Sequence, residues 1–295
     1  MQTLIQIGVY GAINGTIYGL LALGVVLVYR GSRVLNLAHG EIGTFALFIA
    51  SWLVVDQHVP YALAIAISIA AAVALGVGFE RGVVQFMRDS EPLTVAVATI
   101  GLLTLLVSGE LFIFGGSPRN LPPALSGTGL TISGIVVSQN RLLAFAVACG
   151  LGLGLAALLK RTDFGLGVLA AAQDARAARL VGIPLARVSM FVWGASAGLA
   201  AIAAVLIEPD LGAFSAGFMS RLFIFALAAA LVGGLTSLPG AFVGGLVVGL
   251  LEATVTHFTL DVTEVPGLPV VSVFALILVV LLVRPQGLLG GRSAA

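Results

Sequence analysis

Asn36, His39 and Glu41 form the densest cluster of chemistry-bearing side chains in the sequence. An imidazole and a carboxylate two residues apart could hold a divalent metal or shuttle a proton. The other histidines, His58 and His257, fall where the opposite membrane face is expected, and no H-E-x-x-H spacing occurs. Cys149 is the sole cysteine, which excludes cysteine-cluster metal sites and intrachain disulfides. No metal site is therefore expected. The plainer reading of the cluster is structural: polar side chains at a broken helix satisfy freed backbone groups. Catalytic use of His39 and Glu41 would make the chain an intramembrane enzyme. Glu252 lies deep in an apolar run. A carboxylate at that depth is costly, and faces a bundle interior or a wet cavity; in a gradient-driven transporter it would be the proton or sodium site. Asn14 and Tyr18 are one helical turn apart and could line a polar path or bond a neighbouring helix. Asn14, Tyr18, Asn36, His39 and Glu252 are thus the candidates for a path across the membrane. Glu110 falls near the end of its apolar run and reads as interfacial.

The segment from Lys160 to Arg187 differs from its surroundings. Lys160, Arg161, Arg176, Arg179 and Arg187 cluster there between long apolar runs, which places it on the cytoplasmic side of a membrane. Ala170 to Leu180 has high helix propensity, and Gly182 followed by Pro184 stops it. Gln173, Asp174, Arg176 and Arg179 interrupt its alanine-rich surface. Such a helix could lie flat on the bilayer or press into a groove on a partner. The chain has no engine for nucleotide hydrolysis. A phosphate loop needs G-x-x-x-x-G-K-[ST], and the single lysine, Lys160, follows Leu159.

The elements that must position these residues are membrane helices. Apolar residues make up 59% of the 295 and charged residues 9%, and the mean hydropathy is +1.15. A soluble domain carries about 25% charged residues. The expected fold is an all-α polytopic transmembrane bundle of about eight to ten spans, with broken helices and no separate soluble domain, residues 1–295 forming one transmembrane unit. The spans are expected at Leu4–Tyr29, Ile42–Val55 (with part of Val34–Gly40), Tyr61–Phe79, Leu93–Phe114, Leu142–Leu159, Val188–Ile207, Leu222–Val232, Ala241–Thr256 and Val270–Val283, and Glu208–Arg221 as a loop. Gly115–Asn140 reads as a loop whose TGLTISGIVVS pattern suggests a small hairpin or interfacial segment. The opening MQTLIQIGVYG lacks a basic n-region and reads as a first span, not a removable signal. Alternating the connections puts Arg30, Arg33, Arg81, Arg88, the central loop, Arg284 and Arg292 on one side, against Arg119, Arg141 and Arg221 on the other. The richer side is cytoplasmic, and holds the C-terminus. Basic residues scattered over loops give no nucleic-acid interface. Gly11, Gly15 and Gly19 share one face of the first span; with the pairs Gly150/Gly154 and Gly240/Gly244 they suggest close helix packing. Leu35–Phe45 and Leu235–Gly245 both interrupt apolar helix and read as a faint internal echo, of the kind that marks a transporter's substrate path.

Four stretches carry a family resemblance: GAINGTIYGLLALGVVLVY with RVLNLAHGEIGTF, TDFGLGVLAAAQDARAARLVGIPLARV, ALVGGLTSLPGAFVGGLVVGLLE, and RPQGLLG. Together they resemble the permeases of branched-chain amino acid ATP-binding-cassette importers, the shorter of the paired permease subunits in particular. The resemblance implies a path-forming subunit in the bacterial inner membrane. Its implied partners are a second homologous permease, two cytoplasmic ATP-binding subunits and a periplasmic or lipid-anchored substrate-binding protein, embedded in membrane lipid. It implies no cofactor in this chain, ATP being bound by the separate subunits, and no enzymatic activity of its own. Residues 160–187 correspond to the coupling loop, with Gln173, Asp174, Arg176, Ala177, Ala178, Leu180 and Gly182 in the coupling helix. DFG at Asp163–Gly165 departs from a commoner basic/glycine run. The relatives' substrates include branched-chain amino acids, urea, short amides and aromatic acids. A stand-alone secondary transporter remains the reading for a chain that works without ATP.

Overall fold

The computed structural model describes residues 2–87, 90–125, 127, 129–132, 135–262 and 267–290; Arg88 and Arg292 lie outside them. Helices dominate: α1 (Gln2–Ser32), α2 (His39–Ser51), α3 (Tyr61–Gly82), α4 (Pro92–Phe114), α5 (Gln139–Arg161), α6 (Asp163–Gln173), α7 (Ala175–Leu180), α8 (Leu185–Leu211), α9 (Phe218–Gly233), α10 (Leu238–Val262) and α11 (Leu268–Val283). Of these, α1, α3, α4, α5, α8 and α10 are long and apolar enough to cross a membrane, and α9 and α11 are shorter apolar helices. A π-helical turn, Trp52–Asp56, extends α2. The only sheet among the described residues is an antiparallel pair, β1 (Leu130–Ile132) and β2 (Ile135–Val137), with Leu130 opposite Val137. It is the hairpin expected between the fourth and fifth spans.

Burial ranks the helices. The most apolar window is 89% buried in α1 and 78% in α8, but only 22%, 22% and 17% in α3, α4 and α5. α1 and α8 are thus the axis, and the other three turn apolar side chains outward, as lipid contact requires. The α1–α10 contact explains the glycine stripe. A Cβ on Gly15 would stand 2.8 Å from the Leu246 Cα, and one on Gly11 2.9 Å from the Leu250 Cα. Gly245 and Gly249 of α10 face back onto Gly15 and Gly19. With no side chains between them the two backbones touch, and dispersion replaces the hydrophobic drive that lipid cannot supply. Gly240 and Gly244 serve the same purpose against α9. Gly150 and Gly154 do not: nothing lies within 4 Å of a Cβ on either, so that expected packing pair is absent.

Two spans are broken. A 13-residue α2 rises only about 20 Å, short of the ~30 Å hydrocarbon layer. The chain makes up the difference with the non-helical segment 34–38, which runs into the bundle after Arg33 ends α1 at φ 57°. α9 is broken in the reverse sense. Non-helical residues 212–217, bracketed by Gly212 and Gly217 at φ 82°, enter from the other end before α9 starts. This corrects two expectations. The supposed loop Glu208–Arg221 shrinks to six residues, because α8 continues to Leu211 and Arg221 sits in the first turn of α9. The counterpart of the Leu35–Phe45 break is Gly212–Gly217, not Leu235–Gly245. The latter is the tight α9–α10 turn, where the Ser237 hydroxyl accepts from the Gly240 N–H at 3.0 Å.

The two ends of the bundle are tied differently. At one end Arg119 pairs with Asp56 at 2.7 Å and Arg141 with Asp210 at 2.9 Å. Arg119 and Phe214 exchange both backbone hydrogen bonds. At the other end, the basic one, the Arg33 guanidinium donates to the Ala172 carbonyl at 3.1 Å. There the tail after α11 returns to α9: Leu288 N–H donates to Val232 O at 2.8 Å and Leu289 N–H to Gly233 O at 3.1 Å. These carbonyls are the last of α9 and have no partner in their own helix.

Candidate functional site

The broken spans meet inside the bundle. Asn36 Oδ1 accepts from Ala38 N–H at 3.1 Å, and Thr99 Oγ1 of α4 accepts from Leu37 N–H at 3.1 Å. Two of the freed amides of the break are thereby satisfied. His39 is fully buried. One ring nitrogen lies 3.2 Å from the Leu21 carbonyl, the other 3.0 Å from Ser196 Oγ. The ring fits against α1 only because residue 24 is glycine: a Cβ there would collide with the imidazole. Glu41 accepts from the Ser220 hydroxyl and faces Thr44 and the Gly217 and Ser220 amides. Glu110, expected at the interface, is instead buried, within electrostatic reach of Glu41 and opposite the Gly217 amide. Both carboxylates thus sit at the N-terminus of α9, whose dipole favours negative charge. Met219 N–H donates to Thr44 Oγ1 at 3.1 Å, completing the α2–α9 joint. No group of three His, Cys, Asp or Glu among the described residues could hold a metal ion. Each member of the Asn36–His39–Glu41 cluster is engaged by the fold: Asn36 caps its own break, His39 bridges α1 and α8, and Glu41 joins α2 to α9.

A second polar group lies nearer the Arg141 end. Asn14 and Glu252 line a cavity of about 230 Å³ with Tyr10, Arg141 and Thr256. Arg141 stacks over Tyr10 at 4.3 Å. The Glu252 carboxylate faces the Asn14 amide and the Tyr18 hydroxyl, with Arg221 in electrostatic reach. One Glu252 oxygen and the Thr256 hydroxyl have no hydrogen-bond partner. Tyr18 stays behind the cavity, stacked on Phe225 at 5.2 Å.

The loop between α5 and α8 is folded more sharply than its alanine content suggests. Instead of one helix over Ala170–Leu180, the chain forms α6 and α7 with a break at Asp174 (φ −144°). The cause is the aspartate itself: its Oδ1 accepts from Arg176 N–H at 2.8 Å and Ala177 N–H at 3.0 Å, capping α7. Thr162 caps α6 in the same way through Gly165 N–H at 3.0 Å. α7 closes with paired bonds, Ile183 N–H to Ala178 O at 3.0 Å and Gly182 N–H to Arg179 O at 3.1 Å. That closure needs a left-handed residue, and Gly182 supplies it at φ 84°. Ala178 faces inward, whereas Gln173, Arg176, Ala177 and Gly182 are exposed. Leu180 is 89% and Val181 77% exposed. Phe164 packs edge-on against Phe191 at 5.0 Å and holds α6 to α8.

The family model for the branched-chain amino acid transport system permease component matches residues 7–283. The chain belongs to that family. A high-affinity branched-chain amino acid transport system permease protein of Pseudomonas aeruginosa, BraD, is 32% identical over 96% of this chain and 94% of its own length. The Escherichia coli K12 permease LivH is 30% identical over 95% and 93%. A probable branched-chain amino acid transport permease of Methanocaldococcus jannaschii is 27% identical over 92% and 88%. This permease is a multi-pass membrane protein and not an enzyme.

In the permease the candidate residues separate into three places. Asn36 and His39 lie near the joint of the broken spans, Asn14, Tyr18 and Glu252 around the second cavity, and Gln173, Asp174, Arg176, Ala177, Ala178, Leu180 and Gly182 on the α6–α7 loop. Sequence reasoning missed Thr44, Ser196 and Ser220, the partners of Glu41 and His39, because lone hydroxyls in apolar helices carry no spacing signal. It also misplaced Glu110 and Arg221, whose depth depends on where the 212–217 break falls. The signal that could have found that break is the pair Gly212 and Gly217 flanking Ala-Phe-Ser-Ala.

Proposed function

We propose that this permease is the path-forming subunit of an ATP-binding-cassette importer for branched-chain amino acids, driven through the α6–α7 loop. The observation that carries the reading is the apolar tip Leu180–Val181, set on a doubly capped helix at the basic end and bare of any cover from its own chain. Exposed leucine and valine on a rigid mount, ringed by Gln173 and Arg176, suit insertion into a groove. A chain without a phosphate loop requires separate ATP-binding subunits to supply that groove. A second permease and an extracytoplasmic binding protein complete the assembly, in the inner membrane with the C-terminus cytoplasmic. Asn14 and Glu252, at an open cavity, are better placed to meet substrate than buried Asn36, whose Oδ1 caps its own break, and His39, whose ring nitrogens both have partners. Tyr18 orients Glu252 from behind. Urea, amide and aromatic-acid transport are the competing substrate readings, separated by competition during uptake.

The test is charge reversal at Arg176 and aspartate at Leu180 in the assembled importer. ATP hydrolysis is expected to persist at the basal rate while substrate-stimulated hydrolysis and uptake fall at least about tenfold. Normal uptake by both variants would refute the loop's role. Uptake by this chain reconstituted alone would instead favour a gradient-driven transporter, for which the unpaired Glu252 oxygen is the supporting observation.

A further inference from the structure

We propose that the cavity between the α6–α7 loop and the bundle binds a phosphate-ester anion, the headgroup of an anionic phospholipid or a soluble phosphate ester. The cavity has a volume of about 360 Å³ and opens where the ends of α1, α3, α4 and α8 meet the loop. The two cations among its described lining residues, Arg33 and Arg179, come from segments far apart in sequence. Arg33 uses part of its guanidinium on the Ala172 carbonyl, and no hydrogen bond or ion pair joins the Arg179 side chain to a described residue. Arg30 adds a third positive charge within electrostatic reach of Arg33. No aspartate or glutamate is among the described residues that line the space. Like charges gathered at one cavity repel one another, and an anion bound between them relieves that repulsion.

The remaining lining points to phosphate. Ser90 and Ser189 present hydroxyls. The first turns of α4 and α8 reach the cavity, and neither helix has a side-chain cap for its N-terminal amides. The positive dipole end of a helix favours phosphate oxygens, and guanidinium forks match phosphate in two-point bonds. Val84, Met87, Val95 and Val188 give the pocket an apolar wall, which suits the glycerol and first acyl carbons of a lipid. The anion would join α7, through Arg179, to the end of α1, through Arg33. Its occupancy would set how far the loop can move against the bundle.

Binding can be read on the purified full-length chain in detergent, with no partner present. Isothermal titration would compare dihexanoyl phosphatidylglycerol, dihexanoyl phosphatidylcholine and glycerol phosphate. Saturable binding of one phosphatidylglycerol per chain is expected, with phosphatidylcholine inert. Arg179→Gln should weaken it roughly tenfold, Arg33→Gln with Arg179→Gln should abolish it, and Arg161→Gln should leave it unchanged. Comparable binding of glycerol phosphate assigns the source to soluble esters; its absence assigns it to the lipid. Lack of anion binding by the wild type, or an unaltered affinity in Arg179→Gln, overturns the proposal. The single variant decides even where the double variant misfolds, because the Arg179 side chain bonds to no described residue and its backbone bond survives the substitution.

Discussion

At the scale of the residue, the permease uses polar side chains inside lipid-facing helices mainly to close backbone accounts. His39 is the clearest case. Both ring nitrogens have partners, and the ring fits only beside a residue without a Cβ. Gly24→Ala should therefore destabilise the chain by about 1–3 kcal/mol, read as a lower unfolding temperature in detergent, although the change adds one methyl group. An unchanged transition would mean that α1 can move away from α2. His39 and Asn36 were visible in the sequence as a break in apolar helix, and their structural use followed from the absence of metal-ligand spacing. Their partners Ser196 and Leu21 were not visible, because nothing in one chain's spacing tells which distant helix a buried imidazole will face. Asp174 tests the same principle at the surface. Asp174→Ala removes the cap of α7 and should cost about 1 kcal/mol locally, seen as faster amide exchange in residues 176–178 with α6 protection retained.

At the scale of the element, small residues decide which helices touch. The α1–α10 contact is a backbone-to-backbone seam, so Gly15→Val has no side chain to push aside and meets the Leu246 Cα directly. Its expected effect is a loss of more than about 1–3 kcal/mol, or failure to accumulate in the membrane, whereas Gly150→Val, with nothing within 4 Å, should be tolerated. Expression and thermal stability of the two variants side by side check this. The four-residue glycine spacing was equally plain at both places in the sequence. Only the fold shows which stripe faces a neighbour and which faces outward. The loop teaches a similar lesson. Helix propensity alone makes Ala170–Leu180 continuous, but Asp174 competes for the next turn's amides and splits it.

At the scale of the whole molecule, the spans were legible because runs of apolar residues are the strongest signal that a membrane protein sequence carries. The breaks were half legible. The first shows as Asn36-Leu37-Ala38-His39-Gly40, and the second hides among glycines and alanines that look like ordinary helix. The ends sort as the arginines require: Arg33 meets Ala172 at one, and Arg119 and Arg141 find their acids at the other. In a Cys149→Ser background, a cysteine at Arg179 should react with an impermeant thiol reagent only in inverted vesicles, and one at Asp56 only in intact cells. The reverse pattern would invert the molecule. The return of Leu288 and Leu289 onto the end of α9 has a consequence during biosynthesis. That strap follows α11 in the chain, so α9 stays unfastened until translation has passed Leu289. A product stopped at Val283 would hold helices α1 to α11 and still lack these two partners for the Val232 and Gly233 carbonyls.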